Sequence, residues 1–234
     1  MWRTVETPVT PFTPWPNTLA YFPFRSDLLD VTGNYTLRVN GVYPPDITTN
    51  DDIPCLLFNR SSQLETTTNV PITWTDAFTV SMWVYAFSVQ PNWLFTIWQP
   101  PAQQDPLTGE AIVWGNRAIW EYFRTGGNLF VWCWWNDVDT QIWIWADPVF
   151  VNYIFVQDNN HVTIYENWIR QFDRWNFDYD IQAGPLIIWW DTVSWAKYDW
   201  YMNEVILEDR AWTQSDVTTY FNNSCREYWY LPIS

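Results

Sequence analysis

Hydrophobic and polar positions alternate with a period of two along much of this chain. Between Phe78 and Tyr85, the residues Phe78, Val80, Met82 and Val84 fall on one side and Thr79, Ser81, Trp83 and Tyr85 on the other, the mark of a strand that buries one face. Tyr201 to Leu207 repeats the pattern, with Tyr201, Asn203, Val205 and Leu207 set against Met202, Glu204 and Ile206. Short apolar runs at Leu19 to Phe24, Cys55 to Asn59 and Trp93 to Trp98 read as further strands. From Ala118 onward the chain predicts an antiparallel meander of hairpins turned at Gly126-Gly127, Asn136-Asp137 and Asp158-Asn159-Asn160. One helix interrupts the strands. Thr213 is its N-cap, Asp216 three residues on makes a variant capping box, and Trp212 and Val217 form a hydrophobic staple. Val217, Tyr220 and Phe221 then give that helix one apolar face. The start of the chain differs, because prolines at 8, 11, 14 and 16 remove ladder donors and favour an extended backbone. The expected organisation is an N-terminal arm over residues 1–17 and a single β-sandwich over 18–234, a length that suits one large sandwich.

Several stretches carry a more specific likeness. Met202, Asn203, Glu204, Val205 and Leu207, followed by Arg210, Ala211 and Trp212, are similar to a closing strand that reads roughly I-D-E-V-R-I-Y and runs into R-A-L and a short helix. Ala20 to Phe24 with Asp30, Gly33 and Asn34 resembles an opening strand and a D-x-x-G-N turn. Phe78 to Val84 resembles F-T-I-S-A-W-V. Cys55 to Asn59 looks like a strand ending F-D-G, with Asn59 and Arg60 at the last two places. Tyr165 and Asn167 fit a hairpin ending L-Y-V-N-G, where Glu166 and Trp168 replace Val and Gly. In all of these the chain resembles the laminin G-like, concanavalin A-like family, and the resemblance spans roughly residues 18 to 225. It implies an all-β, antiparallel two-sheet jelly-roll sandwich with one short C-terminal helix.

Composition narrows the partners. With 11 basic and 26 acidic residues the net charge is -15, which repels nucleic-acid phosphates and anionic bilayers alike. No apolar run is long enough to span a membrane, so neither nucleic acid nor membrane insertion is expected. Arg3, Glu6 and the prolines occupy the place where a signal peptide needs an apolar stretch, and the expectation is a chain that is processed or has no leader. Cys133 reads as a small core residue, while Cys55 and Cys225 flank elements and could pair. Sequons stand at Asn34, Asn59 and Asn222, and the extracellular habit of the resembled family favours their use. The 21 tryptophans are far more than a core of this size absorbs, even with Trp132, Trp134, Trp143 and Trp145 filling both faces of the meander. The rest should form exposed patches suited to sugars or protein partners.

Candidates for chemistry are sparse. The E-x-D-x-x-E run of the sandwich glycosidases is missing. Asp178 and Asp180 would share a face about 6.6 Å apart if extended, but their neighbours make them loop residues. Glu204 and Glu208 would stand about 13 Å apart on an extended strand, too far for a glycosidase pair. The single histidine, His161, follows a hairpin turn and reads as a surface strand residue. No catalytic residues and no required cofactor are expected. Calcium is the one metal that fits, since the Asp30-x-x-Gly33-Asn34 turn presents several oxygens. The resemblance implies a ligand set of Asp30, backbone oxygens near Gly33 and Asn34, and Glu204, although Asn203 stands where the family has Asp. An Asx turn that only closes the loop is the other reading.

The expected function is a non-enzymatic, extracellular or cell-surface structural subunit that assembles with copies of itself into a filament. Its arm, through Val5, Val9, Phe12 and Trp15, would dock on a neighbour's sheet edge. The alternative is a lectin-like module that binds glycans through exposed tryptophans, with or without calcium.

Overall fold

A computed structural model describes residues 12–40, 43–58, 63–73, 76–86, 92–98, 118–123, 128–132, 138–143, 149–176, 183–190 and 200–228. In chain order the strands are β1 (Thr18–Phe22), β2 (Leu37–Val39), β3 (Asp46–Asn50), β4 (Ile53–Phe58), β5 (Leu64–Thr66), β6 (Phe78–Ala86), β7 (Asn92–Trp98) and β8 (Ala118–Phe123). They continue as β9 (Asn128–Trp132), β10 (Val138–Trp143), β11 (Val151–Asp158), β12 (His161–Glu166), β13 (Ile169–Arg174), β14 (Leu186–Trp190) and β15 (Trp200–Glu208), before helix α1 (Gln214–Ser224) and a 3-10 turn (Cys225–Tyr228).

The strands form two antiparallel sheets. One runs β13-β12-β11-β6-β15-β4-β3 with β1 also on β15, and the other runs β10-β9-β8-β7-β14-β5-β2. Their inner faces meet in one core, where Val80, Met82, Phe155, Val205 and Leu207 from the first sheet pack against Leu94, Ile97, Leu129, Leu186 and Ile188 from the second. This is the antiparallel two-sheet sandwich that the resemblance implied. β6 keeps the expected alternation along its whole length, with Phe78, Val80, Met82 and Val84 in the core.

β15 departs from the expected alternation at one point. Asn203 pairs with Trp83 and Ile206 with Ser81, so Glu204 and Val205 together stand opposite Met82. This bulge holds Glu204 at φ 56°, in the left-handed region. Asn203 and Val205 therefore do not share a face. Trp200, Met202, Val205 and Leu207 enter the core, while Ile206 joins the outer cluster beneath α1. The bulge falls where the neighbouring strand changes. β4 pairs with Trp200 to Met202 and β1 with Val205 to Glu208, leaving Glu204 at the gap between them.

Helix α1 forms for the reasons its sequence announces. The Thr213 hydroxyl accepts from the Asp216 N–H at 3.2 Å, and the Asp216 carboxylate accepts from the Thr213 N–H at 2.8 Å, closing the capping box. Such a cap contributes about 1 kcal/mol. Arg210 adds a 2.9 Å ion pair to Asp216. Burial raises the Asp216 pKa, but its bonds to Arg210 and Thr213 outweigh this and hold it below the usual carboxylate value. Trp212 and Val217 pack together as the staple requires, in a cluster with Tyr21, Ile154, Val156, Tyr165, Ile206 and Tyr220. The helix thus covers the outer face of the first sheet.

The described end of the arm joins that covering. Phe12 is buried edge-on against Tyr21 and Tyr220, and Trp15 packs on Trp212 beneath the Arg210 guanidinium. Both residues, read in the sequence as part of an assembly arm, pack on their own chain, Phe12 fully and Trp15 partly buried. Val5 and Val9 lie outside the described residues.

Candidate functional site

The expected calcium residues occupy two separate polar centres. At the first, Asp30 Oδ1 accepts from the N–H groups of Tyr21 at 2.9 Å and Thr32 at 3.0 Å. Its Oδ2 accepts from the Thr32 hydroxyl at 2.7 Å and from the N–H groups of Asn34 at 3.0 Å and Tyr35 at 2.9 Å. Gly33 takes φ 76°, and the Asn34 amide donates to the Leu19 carbonyl at 3.0 Å. Every contact on that carboxylate comes from a hydrogen-bond donor, which describes a loop-closing Asx turn. At the second centre, Glu204 is buried and accepts from the hydroxyls of Tyr21 at 2.7 Å, Tyr220 at 3.4 Å and Tyr228 at 3.4 Å. Trp83 stacks on Tyr228 and donates through Nε1 to the Tyr220 hydroxyl at 3.1 Å. Burial, with the nearby Glu204 charge, pushes the Tyr220 phenol well above its ordinary value. Among the described residues no group of three or more His, Cys, Asp or Glu side chains comes together. The hydrogen-bond donors that surround the Asp30 carboxylate do not fit a cation there.

The other sequence candidates separate as clearly. Glu208 is buried and accepts from Thr18 Oγ1 at 2.6 Å, Trp212 Nε1 at 3.0 Å and Arg210 Nε at 3.1 Å, so it ties β1 to the helix corner and does not face solvent. Glu65 is likewise buried under Arg38, with Asn40 Nδ2 at 2.8 Å. Asp178, Asp180, Cys133, Trp134, Trp145 and Asn59 lie outside the described residues. Asn34 is exposed, but its amide already holds Leu19, and Asn222 is half-buried on α1.

Cys55 and Cys225 are free, and the bridge left open by the sequence is not formed. Both are buried in one apolar cluster with Trp83, Phe221 and Tyr228. Burial pushes the Cys55 thiol up to about 12, against a smaller opposing effect of a backbone hydrogen bond at Asn50. Because the thiolate is the reactive form, an aromatic disulfide reagent at about pH 8 should label neither residue in the native protein. Both should react once the chain is unfolded, and native-state labelling at either position, located by peptide mapping, would contradict the packing.

The described surface carries an array of aromatic and polar groups around Trp175. It lies at the β13 edge, on the same outer face as α1. The hairpin registers make three cross-strand rows there: Ile154, Tyr165 and Arg170; Val156, Thr163 and Asp173; and Asp158 with His161, beyond which Trp175 follows β13. His161 and Trp175 stack with ring centroids 3.9 Å apart and planes 5° apart. Trp175 nevertheless remains 63% exposed, so its second face is open to solvent. Asp173 Oδ1 meets His161 Nε2, and Asp173 Oδ2 meets Arg170 Nη1 at 2.8 Å. Beneath them burial raises the Tyr165 phenol, Arg170 opposing and Asp173 reinforcing the shift. Trp143, expected to fill a sheet face, is also exposed, at 56% on β10.

His161 therefore sits at the strand position expected of it, but its partner was missed. With Val162 opposite Arg174, the register places position 161 against 175. That pairing is unreadable in the sequence because Ile169 to Arg174 shows no alternation and is almost wholly exposed.

Two antiparallel sheets packed face to face around one core make this chain a β-sandwich. Comparison with solved structures agrees at the level of fold. The chain is similar to the binding domain of Paraclostridial Mosquitocidal Protein 1, with TM-score 0.67 and 15% identity, over 88% of this chain and 52% of that one. It is similar to domain 4 of AbnA, an extracellular arabinanase from Geobacillus stearothermophilus, in complex with arabinotriose, with TM-score 0.65, 21% identity and coverage of 87% and 97%. A third likeness is to the botulinum neurotoxin serotype D ligand binding domain in complex with N-acetylneuraminic acid, with TM-score 0.61, 8% identity and coverage of 88% and 50%. The chain thus spans about half the length of the toxin domains and nearly all of the arabinanase domain. No family model and no curated protein matches it. No helix among the described residues is long and apolar enough to cross a membrane.

Proposed function

We propose that this chain is a non-catalytic, extracellular carbohydrate-binding module. The observation that carries the reading is the Trp175 indole, one face fixed on His161 and the other open, beside the Asp173–Arg170 pair. A sugar ring offers an apolar face of C–H groups and a rim of hydroxyls. An indole held at a fixed angle stacks on the first, and neighbouring charged groups bond the second. Pinning by His161 lowers the ordering cost that a free surface tryptophan would pay on binding. The fold supports the same reading, because one similar domain holds arabinotriose and another N-acetylneuraminic acid. Assembly through the arm has less behind it, since Phe12 and Trp15 are packed on their own chain.

Screening against immobilised glycans should give a signal that a chelator leaves unchanged. Trp175→Ala should weaken that binding by about 10- to 100-fold, the loss expected for one stacking anchor, while thermal stability changes little because the ring is mostly exposed. A glycan-silent wild-type protein, or a variant that binds as well as wild type, would remove the proposal.

A further inference from the structure

The groups beside Trp175 select among sugars, on the reading that this patch binds saccharides at all. Asp173 and Arg170 stand side by side with 37% and 56% of their side chains exposed, and the two are joined at 2.8 Å. One is purely an acceptor and the other purely a donor. Two adjacent sugar hydroxyls carry the complement, because one can donate to Asp173 while its neighbour accepts from Arg170. A sugar carboxylate or sulfate brings only acceptors. It can approach Arg170 only within a few ångströms of the Asp173 charge, so it gains a donor and meets a repulsion together.

The surroundings add no compensating positive field. On this face Arg170 is joined to Asp173, which also meets His161, and Asp158 lies opposite His161 across the hairpin, while Arg174 stands opposite Val162 on the other face. The whole chain carries -15, which opposes the approach of any polyanion. Spacing also fits a single sugar. Asp173 and Trp175 are two residues apart on one face, about 6.6 Å along an extended strand, so a ring stacked on Trp175 reaches Asp173 with its rim hydroxyls. We infer that the Trp175–Asp173–Arg170 patch selects neutral saccharides with vicinal hydroxyls and disfavours sialylated, uronic-acid and sulfated glycans.

Calorimetric titration of the full chain tests this with neutral arabino-, xylo- and manno-oligosaccharides on one side, and sialyllactose and heparin oligosaccharides on the other. At least one neutral series should bind, with affinity changing less than about two-fold between roughly 50 and 300 mM salt. The acidic ligands should bind at least about ten-fold more weakly. Asp173→Asn should weaken the neutral ligand by a few-fold and narrow the gap to the acidic ones, because the variant replaces a charged acceptor by a neutral amide oxygen and removes the repulsive charge. Tighter binding of acidic than neutral ligands, lost in Trp175→Ala, would overturn the selectivity and leave the saccharide-binding reading standing. Binding to no saccharide, or binding that Trp175→Ala leaves intact, would overturn that reading and this inference with it.

Discussion

Glu204→Ala should lower the stability of this protein by about 3–5 kcal/mol, the loss of one acceptor shared by three buried hydroxyls, partly offset because a carboxylate no longer has to be buried. The carboxylate is the common acceptor for Tyr21, Tyr220 and Tyr228, hydroxyls drawn from β1, α1 and the turn that follows α1. Truncation removes the acceptor that the three phenols share, and each buried hydroxyl that finds no other partner costs about 1–3 kcal/mol. It also leaves an alanine at φ 56°, a conformation that now has no compensating bond. Glu204→Gln should cost less, since its amide oxygen still accepts. Denaturant titration reads the effect as a shift in midpoint at unchanged slope. An alanine variant within about 1 kcal/mol of wild type would show that the tyrosines find other partners.

Asp30→Ala should follow, at about 2–4 kcal/mol. Five bonds from four residues end on this one side chain, and among them the Tyr21 N–H lies within the buried first strand. Removing the carboxylate frees the loop that carries Gly33 and Asn34 and strands a backbone amide of β1 without an acceptor. The same geometry makes a prediction about metal. Thermal unfolding of the wild-type protein should be unchanged by a calcium chelator, because no lone pair on Asp30 awaits a cation. A fall of several degrees on chelation would reverse the assignment of this turn.

Much of the architecture was legible because the residues concerned obey local rules. β6 alternates cleanly, the β11–β12 hairpin turns at Asp158-Asn159-Asn160 with Asn159 at φ 56°, and the cap of α1 needs only Thr213 and Asp216. The turn before β13 also formed without the family glycine, since Asn167 adopts φ 58° and is held by bonds to Asn152. What escaped depends on distant residues. The bulge at Glu204 answers to the change of neighbour from β4 to β1, well over a hundred residues upstream. The three tyrosines around it come from opposite parts of the chain. Asp30 looked the same as a ligand or as an Asx turn, and only the positions of its donors separate the two. The Trp175 patch sits on an edge strand without alternation, so its residues had no assigned face until the register with β12 was known.

The placement of β15 also governs how the chain reaches this structure. The last strand lies in the middle of its sheet, between β6 on one side and β4 and β1 on the other, and Thr18 bonds Glu208 across 190 positions. Neither β6 nor β4 can complete its ladder until residues beyond 200 have emerged and returned to the first part of the sequence. Such long loops close slowly, and the waiting edges are open templates for other chains. During synthesis the protein therefore passes through a prolonged interval with two unpaired strand edges beside an unfinished apolar core. Exposed strand edges and apolar surface of that kind favour aggregation while folding is incomplete.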